Sequence, residues 1–231
     1  MNAKRIAFGI GLGTAFTAAG IFLLAKVAIP AKRTFQGKSP DEWRQELNGG
    51  DVRARDNAQV VLKTIIIPEL TDAALHDTND SGFKLAVASA LNNLPGVRIS
   101  YLTAPGRRGA ALNELGRFGP FAEPAVPVLI QLLHDKNEAI RAAAADALGD
   151  ILSDPAVAIP ALIACLDDPD IDDAAAEALG KFGPLAKAAV PKMLPLLHGG
   201  KEARRAAKLA LPKIDPEAAS QAGIKSAKKK P

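Results

Sequence analysis

Three kinds of residue in this chain could do chemistry: the histidines His76, His134 and His198, the single cysteine Cys165, and a run of aspartates, Asp167, Asp168, Asp170, Asp172 and Asp173. A metal site needs such side chains to converge, and a nucleophile needs a base beside it. The spacing speaks against both. Each histidine follows a leucine at the end of an apolar stretch, at equivalent points of different copies of one pattern. Packed helices sit ~8 to 10 Å apart, so histidines two copies apart are about 20 Å distant and cannot share a metal. At a helix end a histidine can instead bond the last free carbonyls.

The aspartate run contains Pro169 but lacks the glycine and terminal glutamate of a calcium loop, and reads as a solvated turn. Cys165 falls on an apolar stripe and reads as a small buried hydrophobe; alone, it cannot form an intrachain disulfide. Gly-rich phosphate loops, His-Glu-x-x-His, Cys-x-x-Cys and Gly-x-Ser-x-Gly are all absent. We therefore assign no catalytic residue, cofactor or metal ligand from the sequence and expect a protein that is not an enzyme.

The elements that carry these residues are short helices in repeated pairs. Val126, Leu129, Ile130 and Leu133 give one helical stripe, Ile140, Ala144, Ala147, Leu148 and Ile151 a second, and His134 to Asn137 break them apart. Neither helix can hide its stripe alone, so the pair must stack on similar pairs. The expected fold is all-α, an α-solenoid of about six helix pairs over residues 39–214. Aromatic residues are only 4% of the chain, which suits close helix packing and speaks against a ring-lined nucleotide pocket. With the leucine of the Ala-Leu-Gly ending as marker, equivalent positions are Val60, Leu91, Leu115, Leu148, Leu179 and Leu211. Val126-Pro127, Ile159-Pro160 and Val190-Pro191 recur in the first helices, where interior prolines would kink each helix. Ser39-Pro40-Asp41-Glu42 predicts the start of the fold as a capping box, with Trp43 and Leu47 sealing the first repeat.

Seven residues before the markers stand Arg53, Lys84, Arg108, Arg141, Asp172 and Arg204. This series is either a structural ladder or a row of partner contacts. Asp172 breaks the pattern inside the aspartate cluster, which could meet a basic partner or a cation.

The arrangement resembles the short HEAT-repeat class that includes the phycobilisome-lyase-like repeats. The residues carrying the likeness are Ile140-Arg141 through Ala147-Leu148-Gly149, Ile171 through Ala178-Leu179-Gly180, and Val52-Arg53. Gly37-Lys38-Ser39 to Trp43 is also similar to the N-terminal segments of membrane-tethered bacterial HEAT proteins. The resemblance implies architecture more than activity, because such repeats serve enzymes, scaffolds and adaptors alike. It implies that the basic series pairs with turn acids of neighbouring repeats, for which Asp135, Asp150, Asp168 and Asp170 are available. HEAT-repeat hydroxylases hold iron through His-Glu pairs, whereas this chain offers only His76-Asp77 and His134-Asp135. A lyase-like or metal-dependent hydroxylase is therefore the third reading.

Charge divides the chain. Residues 1–38 carry +6, residues 39–200 carry −8, and residues 201–231 carry +6. An acidic body with one tyrosine and one tryptophan is unsuited to specific nucleic-acid binding, while the basic tail from 215 onward, expected to be disordered, could touch anionic surfaces. Residues 1–30 hold an uncharged run from Ile6 to Ala25, long enough to span a bilayer, and residues 31–38 form a basic linker. The expectation is a single-pass membrane protein with its repeats on the non-cytoplasmic side, a non-catalytic adaptor that binds a protein partner through the inner face of its second helices. The alternative is an exported soluble module released by signal cleavage.

Overall fold

The computed structural model describes residues 34–80 and 103–224. The chain forms two compact units, one of residues 1–33 and 78–104, the other of residues 34–77 and 105–231. Of the first, residues 78–80 and 103–104 are described, and there the Ala104 N–H donates to Asp80 Oδ1 at 2.7 Å. The helix pairs lie in the second unit.

The described residues are all-helical, apart from one isolated bridge between Phe35 and Lys38. The helices are α1 (Pro40–Asn48), α2 (Val52–Val61), α3 (Ile67–His76), α4 (Ala104–Arg117), α5 (Val126–Leu132), α6 (Glu138–Ile151), α7 (Pro155–Cys165), α8 (Asp172–Phe182), α9 (Val190–Leu196), α10 (Lys201–Ile214) and α11 (Pro216–Gln221). Helix α1 starts as its sequence dictates. Glu42 N–H donates to Ser39 Oγ at 3.3 Å, Ser39 N–H donates to Glu42 Oε2 at 2.6 Å, and Pro40 occupies the first turn, where no N–H is missed. Trp43, 1% exposed, donates its indole N–H to the Phe35 carbonyl at 2.9 Å and so ties the bridge onto the helix.

From α5 onward, first and second helices alternate in pairs, α5 with α6, α7 with α8 and α9 with α10, and each second helix packs on the next. The Ala-Leu-Gly ending explains how they approach. Each leucine points into the core, and each glycine faces the alanine of the following copy. A Cβ placed on Gly149 would lie 2.8 Å from Ala178 Cα, and one on Gly180 would lie 2.7 Å from Ala210 Cβ. Only glycine permits backbones so close.

Several expectations change. Val60 is 59% exposed while Val61 and Leu62 are buried, so the first marker is out of register. Helices α2 and α3 run together through a π-helical stretch, Leu62–Ile66, just before Pro68. Proline lacks the N–H that would bond the Thr64 carbonyl, which favours such a local rearrangement. Pro127 and Pro191 do not kink helix interiors; they sit in the first turns of α5 and α9, after 3-10 turns at Gly119–Ala125 and Gly183–Ala189. Pro160 alone of the three lies inside its helix, α7. Ala104-Pro105-Gly106 opens α4. The expected tail from 215 begins with helix α11, and the lysines from 225 onward lie outside the described residues. So does the copy marked by Lys84 and Leu91.

No helix among the described residues is long and apolar enough to cross a membrane. This finding corrects the single-pass membrane localisation expected from the sequence. The proposed anchor itself, residues 1–30, lies outside the described residues.

Candidate interaction surface

The basic series resolves into contacts of different kinds. Arg108 is the most enclosed, 4% exposed, and its guanidinium donates to the Ala74 carbonyl at 2.6 Å and to Asp135 Oδ2 at 2.5 Å. The first contact ties α4 to the end of α3, and the second reaches the turn of the next pair. Burial alone would raise the Asp135 carboxyl. The Arg108 hydrogen bond, the Asn137 N–H and the nearby cations outweigh it and hold the carboxyl below its ordinary range. Arg141 repeats the arrangement one pair later, donating to Asp168 Oδ2 at 2.9 Å, to Asp170 Oδ2 at 3.0 Å and to the Asp135 carbonyl at 3.0 Å.

The next step has no such contact. Asp172 stands where an arginine would, and the acid's place in the following turn is taken by Gly199. Burial raises the Asp172 carboxyl, and its neighbours Asp173 and Asp168 add to the effect against one backbone hydrogen bond from Asp173. Arg204, in the last pair, donates to the Gly199 carbonyl at 3.0 Å.

Arg53 is exposed, and its backbone N–H donates to the capping Asp51 at 2.9 Å. The residue equivalent to Arg141 is Arg55. Each stands four residues after a helix-capping side chain, Asp51 or Asn137, and each donates to a carbonyl six residues back, Arg55 to Gly49 at 2.6 Å. Counting from the cap instead of from the apolar run would have found it. Arg107 also went unnoticed; it grips Asp77 through two nitrogens, at 2.6 and 2.8 Å.

The histidines stay apart. His76 pairs with Asp72 at 2.9 Å on the surface of α3, while His134 and His198 are exposed after α5 and α9. Among the described residues no three of His, Cys, Asp and Glu come together as a metal site. Cys165 is buried, and burial, followed by the Asp168 charge, pushes its thiol up.

What the fold does assemble is an open, acidic groove of about 380 Å³ across α6, α8 and α10. It is lined by the small residues Ala139, Ala142 and Ala174, by the acids Glu138, Asp146, Asp170, Asp173 and Glu177, and by Arg205 of α10. Glu177 is paired with Arg205 at 2.8 Å, and Lys181 with Asp150 at 2.6 Å. Asp146 has no hydrogen-bond or ion-pair partner among the described residues. Its partial burial raises the carboxyl; the Lys181 charge opposes this, and the charges of Asp150, Glu177 and Asp173 reinforce it.

Comparison with known proteins agrees with the repeat architecture. Residues 101–180 match the family model for HEAT repeats. Among curated proteins nothing matches. The chain is similar to a solved structure, the complex of CpcE and CpcF of phycocyanin lyase from Nostoc sp. PCC7120, at 25% identity, covering 82% of this chain and 69% of that one. The TM-score is 0.49, too loose a superposition to bear on function.

Proposed function

We propose that this chain, which carries HEAT repeats over residues 101–180, is a non-catalytic protein-interaction module whose second helices receive a cationic segment of a partner protein. Residues 39–214 would form the interaction domain. The observation that carries this reading is the groove over α6, α8 and α10. Its alanines are small enough to leave room for the aliphatic stems of lysine or arginine, and five acidic residues in the same lining offer partners for their head groups. An unpaired, partly buried Asp146 is poorly stabilised in the free protein, and a cation from outside would improve its surroundings.

The test is fluorescence anisotropy with a labelled lysine-rich peptide at two salt concentrations. Asp146→Asn together with Asp173→Asn should weaken binding about tenfold, while Asp41→Asn, on α1, should leave it unchanged. Asp146→Asn alone should also raise the unfolding temperature at neutral pH. A carboxyl whose folded pKa is raised costs stability once it ionises, and that cost is absent in acid. Weaker binding with greater stability would mark a site kept for a partner. Equal binding by the double variant would refute the groove.

A further inference from the structure

We propose that the C-terminal end of the helix stack is a second docking surface, which receives an acidic amphipathic helix of a partner protein as a continuation of the first-helix layer. Its lining shares no residue with the acidic groove, and it does not depend on that site.

Within the stack, each first helix ends in two apolar residues that the next pair covers. Leu132 and Leu133 at the end of α5, and Cys165 and Leu166 at the end of α7, are all buried. Helix α5 packs on α7, and α7 packs on the 3-10 turn that leads into α9. The same register in α9 falls on Leu196 and Leu197, and these are only half-buried, as is Leu194. Beside them opens a cavity of about 630 Å³, lined by Leu194, Leu197, His198, Lys208 and the turn at Ala222 to Ile224. Helix α11 has six residues and buries Ala219, too short an element to stand in for a full helix pair. The apolar surface here is the one that each upstream pair uses to bind its successor.

The rim decides the chemistry of the occupant. Lys208 lines the cavity with no ion-pair partner among the described residues, beside His198, while Lys201 on the same helix lies outside the lining and pairs with Glu202 at 3.8 Å. A helix with an apolar stripe and glutamates on its flanks complements this end in shape and in charge. A second copy of the chain docking end to end would bring the Lys208 of each copy to one junction.

The test uses the full chain and two labelled synthetic helices of about 18 residues, with leucines at helical spacing and either glutamate or lysine on the flanks. The acidic helix should bind and the basic one should not. Lys208→Glu, an exposed change with no described ion pair to break, should weaken the acidic helix about tenfold and admit the basic one. Leu197→Asp should abolish binding, with circular dichroism to show that the fold persists, and Asp146→Asn should leave it unchanged. Three results would overturn the proposal: equal binding of both helices, no effect of Lys208→Glu, or a dimer in sedimentation that Leu197→Asp dissociates. Binding seen only after removal of residues 225–231 would assign the cavity to the chain's own end and overturn it as well.

Discussion

The junctions at the two ends of the series α4, α6, α8 and α10 are closed by different means. Upstream, Arg108 and Arg141 each span from one pair to the turn of the next, meeting Asp135 and Asp168, and the first glycine contact is the looser one: a Cβ on Gly116 would stand 3.3 Å from Ala147 Cα. Downstream, between α8 and α10, both halves of the ionic contact are replaced, by Asp172 and Gly199, and the glycine contact is the closest, 2.7 Å from Gly180 to Ala210 Cβ. Between them Gly149, at 2.8 Å from Ala178 Cα, has both a close approach and the Arg141 clamp. A repeat protein can thus hold one geometry with a polar clamp or with close backbone packing, and the acidic groove opens where the change occurs.

The largest effect should come from the polar side. Arg108→Ala removes a buried cation and leaves the Ala74 carbonyl and the Asp135 carboxylate without it, which should cost about 3 kcal/mol in denaturant unfolding. Arg141→Ala, with its exposed partner Asp170, should cost distinctly less. The Arg108 contact also has a pH signature. The Asp135 carboxyl is held below its unfolded value, so its stabilisation is present at neutral pH and above, and fades as pH falls below about 4 through the folded value. Asp135→Asn should flatten that acid limb, and equal acid sensitivity in the variant would show that another carboxylate sets it.

Much of this division can be read from residue order, and the reasons for the rest are physical. The stripe at Ile140, Ala144 and Leu148 has one helical solution, so the pairs from α5 to α10 were legible, as was the capping box at Ser39. Val60-Val61-Leu62 is apolar at three successive positions, which fixes no helical phase, and the basic series slipped from Arg55 to Arg53 there. The prolines misled because a residue lacking an N–H suits a first turn as well as a kink. Within the Ala-Leu-Gly ending the leucine drew attention for its size, whereas the glycine matters only through a neighbour about 30 residues away, which no local pattern displays. The groove depends on three helices lying side by side and was visible only as an acidic excess.

On the packed side, Gly180→Ala should cost about 2 kcal/mol, since the added methyl would meet the Ala210 Cβ at 2.7 Å and its Cα at 3.0 Å, a contact that cannot yield without moving α10. Gly116→Ala, with 3.2 Å or more to its nearest neighbours, should stay within about 1 kcal/mol of the parent, because the gain in helix propensity offsets mild crowding. Thermal unfolding of the two single variants would compare the junctions directly. Equal losses would mean that the glycine approach does not distinguish them.

The smallest effect is the most discriminating, because it asks whether a polar clamp can be restored where the chain has none. Asp172→Arg and Gly199→Asp place an arginine and an acid in the positions held upstream by Arg141 and Asp168. Gly199 has no positive φ, and a Cβ there would stand 3.3 Å from the Leu196 carbonyl, so the aspartate is tolerated by the backbone with slight crowding. Each single change should destabilise, the first by setting a cation at the start of α8, the second by adding an unpaired acid to the turn. Combined, they should recover about 0.5 to 1 kcal/mol relative to the sum, the size of a partly exposed ion pair in a double-mutant cycle. Strict additivity would mean that the tight Gly180 junction places the two side chains out of reach, so that close packing excludes the clamp and does not merely replace it.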